Sequence, residues 1–337
     1  MGNSYTFRLH KEIIDFYEYV RPRDFEERIR RNLVEHLTAV VKRKWRDVDV
    51  YPFGSFMSGL YLPTADMDIA ICSKHFLNTD QPVYQDKKYL FHLQKHFERS
   101  RIAFRNEIEV ISKAKVPLVK YADNFTALKI DISFEKFDGC RAIQTFLDWK
   151  AKYPAMPILV SFIKHFLLMR GLNEPVNGGI GGFSVICLVV HLLDSLPQVQ
   201  SGSMVPEHHL GELLMEFFDY YGNRLSYKTV SIRMNPPGLV NKNSRAASDV
   251  VYRNLDRLSI IDPNNPQNDI AGGSSNTTTI LRHFSGAHAL LKRRMAALAG
   301  KPGLLLGPIL EGKYSNFQIQ RDYMERLASQ EYGSTSR

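Results

Sequence analysis

Asp66 and Asp68 stand two residues apart in Ala65-Asp66-Met67-Asp68-Ile69-Ala70-Ile71, where every other position is apolar. In an extended strand, residues two apart point to one face, so the two carboxylates would project together. Carboxylates held together repel unless cations neutralise them. Hard divalent cations that take oxygen ligands, Mg²⁺ among them, suit such a pair. A third acid, Asp131, lies in Lys129-Ile130-Asp131-Ile132-Ser133, again between apolar neighbours in a strand pattern. If its strand lies beside the first, three carboxylates meet. Three acids can hold two metals about 4 Å apart, the arrangement of in-line nucleotidyl transfer. Phe53-Gly54-Ser55 precedes this pair, with eleven residues from Ser55 to Asp66. Gly54 allows close backbone approach to a ligand, and Ser55 with the N–H groups of a following short helix can hold phosphate oxygens. Asp-x-Asp alone is common; the glycine–serine turn, the spacing and the third strand-borne acid make the set specific.

Helices and strands must position these groups. Residues 9–19 read as a helix ended by Pro22. A second helix follows, with Asp24 as its N-cap, Glu27 closing a capping box, and Phe25, Ile29, Leu33 and Leu37 as a buried stripe. After Trp45 the pattern changes. Residues 49–53, 65–72, 108–114 and 128–134 read as strands and 87–99 as a helix, which predicts a mixed α/β domain over 46–140. From 141 the chain reads as mostly helical, with helices over 157–167, 183–196, 209–221 and 281–298. The stretch 227–275, rich in Asn, Pro, Gly and Ser, reads as a long irregular excursion. The helical residues 1–45 and 141–337 would form the second domain.

The composition bounds the class. Of 337 residues, 44% are hydrophobic and 23% charged, as in ordinary globular proteins. The longest apolar runs fall far short of the roughly 20 residues of a membrane helix, so no membrane partner is expected. The start, Met-Gly-Asn-Ser-Tyr, lacks the features of a secretory leader. Cys72, Cys140 and Cys187 are odd in number and sit in apolar settings, which favours free thiols in a reducing compartment; with no CxxC, a zinc knuckle within the chain is not expected. The balance of 44 Lys and Arg against 35 Asp and Glu, net +9, attracts polyanions. The basic runs Arg28-Ile29-Arg30-Arg31 and Lys292-Arg293-Arg294 read more readily as solvated helix faces than as RNA tracks.

Gly54-Ser55, Asp66-Met67-Asp68 and Asp131 together resemble the signature of the DNA polymerase β nucleotidyltransferase superfamily. Leu9-His10-Lys11-Glu12-Ile13-Ile14-Asp15-Phe16-Tyr17, Phe53-Gly54-Ser55-Phe56, Gly59-Leu60-Tyr61-Leu62-Pro63-Thr64, Gly178-Gly179-Ile180-Gly181 and Asp262-Pro263-Asn264-Asn265-Pro266-Gln267-Asn268-Asp269 narrow the likeness. They resemble the Trf-type noncanonical poly(A) polymerases, which supply the catalytic subunit of the nuclear TRAMP polyadenylation complex. The resemblance runs from about residue 8 to 298.

It implies a polymerase β-type α/β catalytic domain with a mixed sheet, packed against a mostly helical central domain that contains the nucleotide-recognition motif, with ATP in the cleft between them. It implies that Asp66 and Asp68 ligate both Mg²⁺ (or Mn²⁺) ions, and that Asp131 ligates one and helps deprotonate an RNA 3′-hydroxyl. Gly54 and Ser55 would bind triphosphate, and Gly139 would lie against the nucleoside. Lys164 matches a family lysine that contacts the triphosphate. Independently, it interrupts an apolar helix, where a buried ammonium without an anion is costly. Gly182-Phe183 falls where relatives often carry Ser-Tyr, so Phe183 keeps a stacking ring without the hydroxyl. Asn268 and Asp269 would line the base edge. An Asn amide both donates and accepts, as adenine requires, and related uridylyltransferases carry His at this position. Relatives usually carry Arg where this chain has Gly272.

The expected activity is template-independent addition of AMP to RNA 3′ ends, tagging nuclear RNAs for processing or decay. Terminal transfer with another NTP or acceptor, or a non-catalytic scaffold of an RNA-decay complex, are the other readings. No RNP-type aromatic motif is present. RNA grip is therefore expected from partners: a zinc-knuckle RNA-binding protein and the RNA helicase of the TRAMP complex, feeding the nuclear exosome. The implied location is the nucleus, nucleolus included.

Overall fold

The computed structural model describes residues 3–114 and 116–334; Met1 and Gly2, part of the stretch read for a leader, lie outside them. Helix α1 (Asn3–Val20) opens the chain, followed by α2 (Asp24–Lys42), β1 (Val48–Phe53), the single turn α3 (Ser55–Ser58) and β2 (Met67–Ser73). Next come α4 (Lys74–Thr79), α5 (Lys88–Ser100), β3 (Ala103–Ile111), β4 (Leu118–Asp123), β5 (Lys129–Phe134) and α6 (Asp138–Lys152). The chain divides into two compact units, one of Arg21–Thr145 with Tyr314–Arg337 and the other of Met1–Val20 with Phe146–Lys313.

The first unit is built on a five-stranded sheet of order β1-β2-β5-β4-β3. Strands β2 and β5 run parallel and the other neighbours antiparallel, so the sheet is mixed. Alternation sets its faces: in β4, Val119, Tyr121 and Asp123 are buried while Leu118, Lys120 and Ala122 are half-buried. β4 was not anticipated, although this period-two pattern was there to read. Helix α2 buries Ile29, Leu33, Leu37, Val40 and Val41 in the same apolar cluster as Met67, Ile69 and Ile71 of β2. At about 1.5–3 kcal/mol per buried large aliphatic side chain, that stripe commits α2 to the sheet. Expected with the helical domain, α2 therefore belongs to the sheet unit, as does α12 (Ser315–Ser334), whose Met324, Leu327 and Ala328 join the cluster. The N-cap of α2 is Arg23, one residue earlier than expected, and its N–H donates to Glu26 (2.8 Å) rather than to Glu27.

In the second unit, α7 (Met156–Leu168) and α8 (Gly182–Ser195) are apolar on nearly every face and correspondingly buried. Around them lie α1, a short α9 (Pro197–Gln200), α10 (Leu210–Asp219) and α11 (Thr277–Ala297). The stretch read as an irregular excursion carries a four-stranded sheet instead. Strands β6 (Val230–Met234), β7 (Pro237–Asn241), β8 (Ile260–Asp262) and β9 (Asn265–Asp269) pair in the order β7-β6-β8-β9. Strands of three to five residues joined by Asn-Pro and Pro-Asn turns leave no run long enough to show alternation. Among the described residues no helix is long and apolar enough to cross a membrane.

Candidate functional site

The sheet register decides whether the acids can act together. β2 and β5 pair in parallel with Asp68 directly opposite Asp131, so their side chains leave the same face. β4 adds Lys120 opposite Asp131 on that face. Asp66 precedes β2 rather than lying within it, as the spacing had suggested. Its carboxylate still turns to the same side, because the Lys120 ammonium stands 3.8 Å from Asp66 Oδ2 and 3.3 Å from Asp131 Oδ1.

Gly54 follows β1, where Phe53 pairs with Asp68. It adopts φ 68°, ψ −143°, and a Cβ there would stand 2.8 Å from Asp68 Oδ2. This backbone region belongs almost wholly to glycine, so both conformation and space exclude a side chain. Ser55 opens the one-turn helix that follows. Gly139 sits in the first turn of α6, and a Cβ on it would reach within 2.3 Å of the Phe53 ring. Packing on Phe53 therefore accounts for this glycine directly.

The residues preceding Asp66 are held by a side chain that sequence reasoning assigned to a solvated face. Arg30 is fully buried. Its guanidinium donates to Ala65 O (3.1 and 3.2 Å) and Pro63 O (3.4 Å) and lies 4.5 Å from the centre of the Tyr61 ring. Burial lowers its pKa, opposed by Tyr61, Glu26 and Asp66, which favour the charge. The fully buried Glu26 is paired in turn with Arg321 of α12 (3.2 Å). Arg30 and Lys120 are the residues that the sequence reading missed. An arginine on the apolar face of an amphipathic helix, three and seven residues before Leu33 and Leu37, was the available signal for the first.

The donor set fits divalent cations: three carboxylates on one face, with an ammonium already set against two of them. As they stand, no three His, Cys, Asp or Glu side chains among the described residues are gathered into a metal cage. The acids share a face without closing on one point.

In the other unit, Lys164 is half-buried on α7 between buried neighbours. Its Nζ comes within 3.4 Å of where a Gly182 Cβ would stand. Gly182 is the first residue of α8, so an ammonium and a helix N-terminus meet, a combination that favours an anion. Phe183 is half-buried with its ring edge-on to Phe146, 4.9 Å between centroids. At β9, Asn268 Nδ2 donates to Asp262 Oδ2 (3.0 Å). Asp269 Oδ1 accepts from the N–H of Ile260 (3.0 Å) and of Ala271 (3.2 Å). Burial pushes the Asp269 carboxyl up from its usual range, and those N–H groups oppose it. A Cβ on Gly272 would stand 3.2 Å from Asp269 Oδ2, and Arg257 Nη1 donates to Gly272 O (2.8 Å). A guanidinium thus reaches this loop from position 257 rather than 272.

Residues 9–147 match the family model for the poly(A) RNA polymerase, mitochondrial-like, central palm domain, and residues 209–268 match that for Cid1 family poly A polymerase. The chain is 35% identical over 297 residues to poly(A) RNA polymerase cid14 of Schizosaccharomyces pombe, covering 87% of this chain and 42% of that protein. It is 34% identical over 332 residues to poly(A) RNA polymerase protein 1 of Saccharomyces cerevisiae, covering 95% of this chain and 50% of that protein. The chain therefore spans about half the length of these curated relatives. A solved structure described as the polymerase core of TRAMP, a RNA surveillance complex, superposes with a TM-score of 0.80 at 32% identity, covering 91% of this chain and 94% of that one.

Proposed function

Because this chain belongs to the Trf-type noncanonical poly(A) RNA polymerase family, we propose that it is an RNA 3′-terminal adenylyltransferase that extends RNA from ATP without a template. The observation that carries this reading is the register that sets Asp68 beside Asp131 on the face to which Asp66 turns. Asp66, Asp68 and Asp131 would hold two divalent cations, which when bound make the RNA 3′-oxygen a better nucleophile and offset charge on the leaving pyrophosphate. Asp131 orients the 3′-hydroxyl and receives its proton. Gly54 admits phosphate close to the backbone, and Ser55 donates to it. Lys164 and the α8 N-terminus supply positive charge for triphosphate oxygens. Phe183 offers a ring for base stacking. The Asn268 amide reads adenine, held in orientation by Asp262.

We also propose the setting: the nucleus, with a zinc-knuckle RNA-binding protein and an RNA helicase as partners and the exosome downstream. The likeness to the TRAMP polymerase core supports this assembly. The test is extension of a short RNA with each of the four NTPs, in Mg²⁺ and in Mn²⁺, with and without a zinc-knuckle partner. ATP-dependent tails are expected, with extension reduced at least about 1,000-fold in Asp68→Ala while the circular dichroism of the fold persists. Preferential use of UTP would make the chain a different terminal transferase. Undiminished tails in Asp68→Ala would sink the mechanism.

A further inference from the structure

The geometry points to Lys120 as an exchangeable counter-cation of the acid site, occupying it until a divalent cation displaces it. The inference rests on the metal-binding reading of Asp66, Asp68 and Asp131 and adds to it a competitor supplied by the chain.

Lys120 faces the acids by construction. Its β4 position pairs with Asp131 across an antiparallel ladder, and its ammonium reaches Asp66, which lies outside the sheet. One positive charge therefore stands against carboxylates from two separate elements that would otherwise repel. These two contacts, at 3.3 and 3.8 Å, are longer than the 2.7–2.9 Å of a tight charge-assisted hydrogen bond. The side chain is 34% exposed, so the ammonium can swing into water on its four-carbon stem without stranding a buried charge. A divalent cation brings twice the charge and prefers the same oxygen donors. Metal and ammonium cannot both sit against Asp66 Oδ2 and Asp131 Oδ1 without repulsion. Binding one thus releases the other, which is linkage between two ligands of one site. Such a residue offsets part of the acids' charge and holds them in position before metal arrives. It also weakens binding of metal alone, favouring metal that enters with nucleotide phosphates.

The test is Mn²⁺ binding to the whole chain without nucleotide, read from the free-ion electron paramagnetic resonance signal. Lys120→Met should bind Mn²⁺ about tenfold more tightly than wild type. Lys120→Arg, which keeps the charge, should stay near wild type. In chelator, Lys120→Met should melt below wild type, and Mn²⁺ should raise its melting temperature by more. A merely structural ion pair predicts the lower melting temperature without tighter metal binding; unchanged or weaker Mn²⁺ binding by Lys120→Met would overturn the exchange. A second measurement uses the wild-type sequence. After ¹³C-dimethylation, which preserves lysine charge, the Lys120 resonance, identified by its absence in Lys120→Arg, should shift on Mg²⁺ titration; a static resonance at saturating metal counts against displacement. Asp68→Asn separates the two readings. If wild type binds Mn²⁺ and Asp68→Asn does not, the acid site is established whatever Lys120→Met shows. If neither wild type nor Lys120→Met binds Mn²⁺, the metal reading and the exchange both fail.

Discussion

Gly54 shows how much one residue can fix. Its φ of 68° with ψ −143° lies where side chains cost about 1–3 kcal/mol, and the missing Cβ leaves 2.8 Å to Asp68 Oδ2. Gly54→Ala must therefore either shift the backbone after β1 or push the Asp68 carboxylate away. A displacement of about 1 Å at a reacting group costs on the order of 100-fold in rate. Gly54→Ala should lower RNA extension by about that factor while its melting temperature falls by only a few degrees. Wild-type extension by Gly54→Ala would show that the close approach is incidental. The Gly54-Ser55, Asp66, Asp68 and Asp131 set was legible in sequence because each residue sits at a strand end or between apolar neighbours, where its type is conspicuous. Lys120 was not, because a lysine in an alternating strand is what any half-exposed strand offers.

At the level of elements, α2 does more than cover the sheet. Its apolar stripe places Arg30 in the interior, where the guanidinium ties down Pro63 and Ala65, directly before Asp66. Removing one member of a buried charged network strands the others and costs about 3–5 kcal/mol. Arg30→Met should lose stability of that order in urea unfolding and should lower kcat with little change in KM for ATP, because Asp66 drifts while the triphosphate contacts remain. An equal loss of kcat and stability in Arg321→Met, which removes the outer pair with Glu26 and the bond to Arg21 O while leaving Arg30 in place, would move the origin of the effect to α12. The sequence marked α2 as a helix with an apolar stripe but not which layer it would cover, since a stripe does not name its partner. Glu26 and Arg321 meet from positions 295 apart, a distance at which no local pattern speaks. The β6–β9 sheet was lost for a different reason: its strands are too short for periodicity to outweigh the turn residues between them.

Across the whole molecule, the two units can be read separately, because each holds one tryptophan: Trp45 in the sheet unit and Trp149 in the helical unit. The helical unit also holds two buried histidines, His165 and His191. Burial, aided by Arg170, pushes His165 down to about 4; burial, opposed by Asp194, pushes His191 down to about 4. The tautomer of His191 follows from its neighbours. Tyr221 donates its hydroxyl to Leu188 O (2.6 Å), so it must accept from His191 Nδ1 (3.0 Å), which leaves Nε2 as the site for an added proton. Both folded pKa values lie below the unfolded value of about 6.5. Between pH 6.5 and 4 the unfolded chain takes up protons that the folded unit refuses, so stability falls as pH falls through that window and is fully present above it. The limit is about 3 kcal/mol per histidine below pH 4. In Trp45→Phe, where fluorescence reports the helical unit through Trp149, the urea midpoint should be level from pH 8 to 7 and drop steadily from 6.5 towards 4. Replacing His191 by Gln, which keeps a donor for Tyr221 without a titratable ring, should make that slope shallower. A midpoint independent of pH across the window would show that neither imidazole is held neutral by the fold.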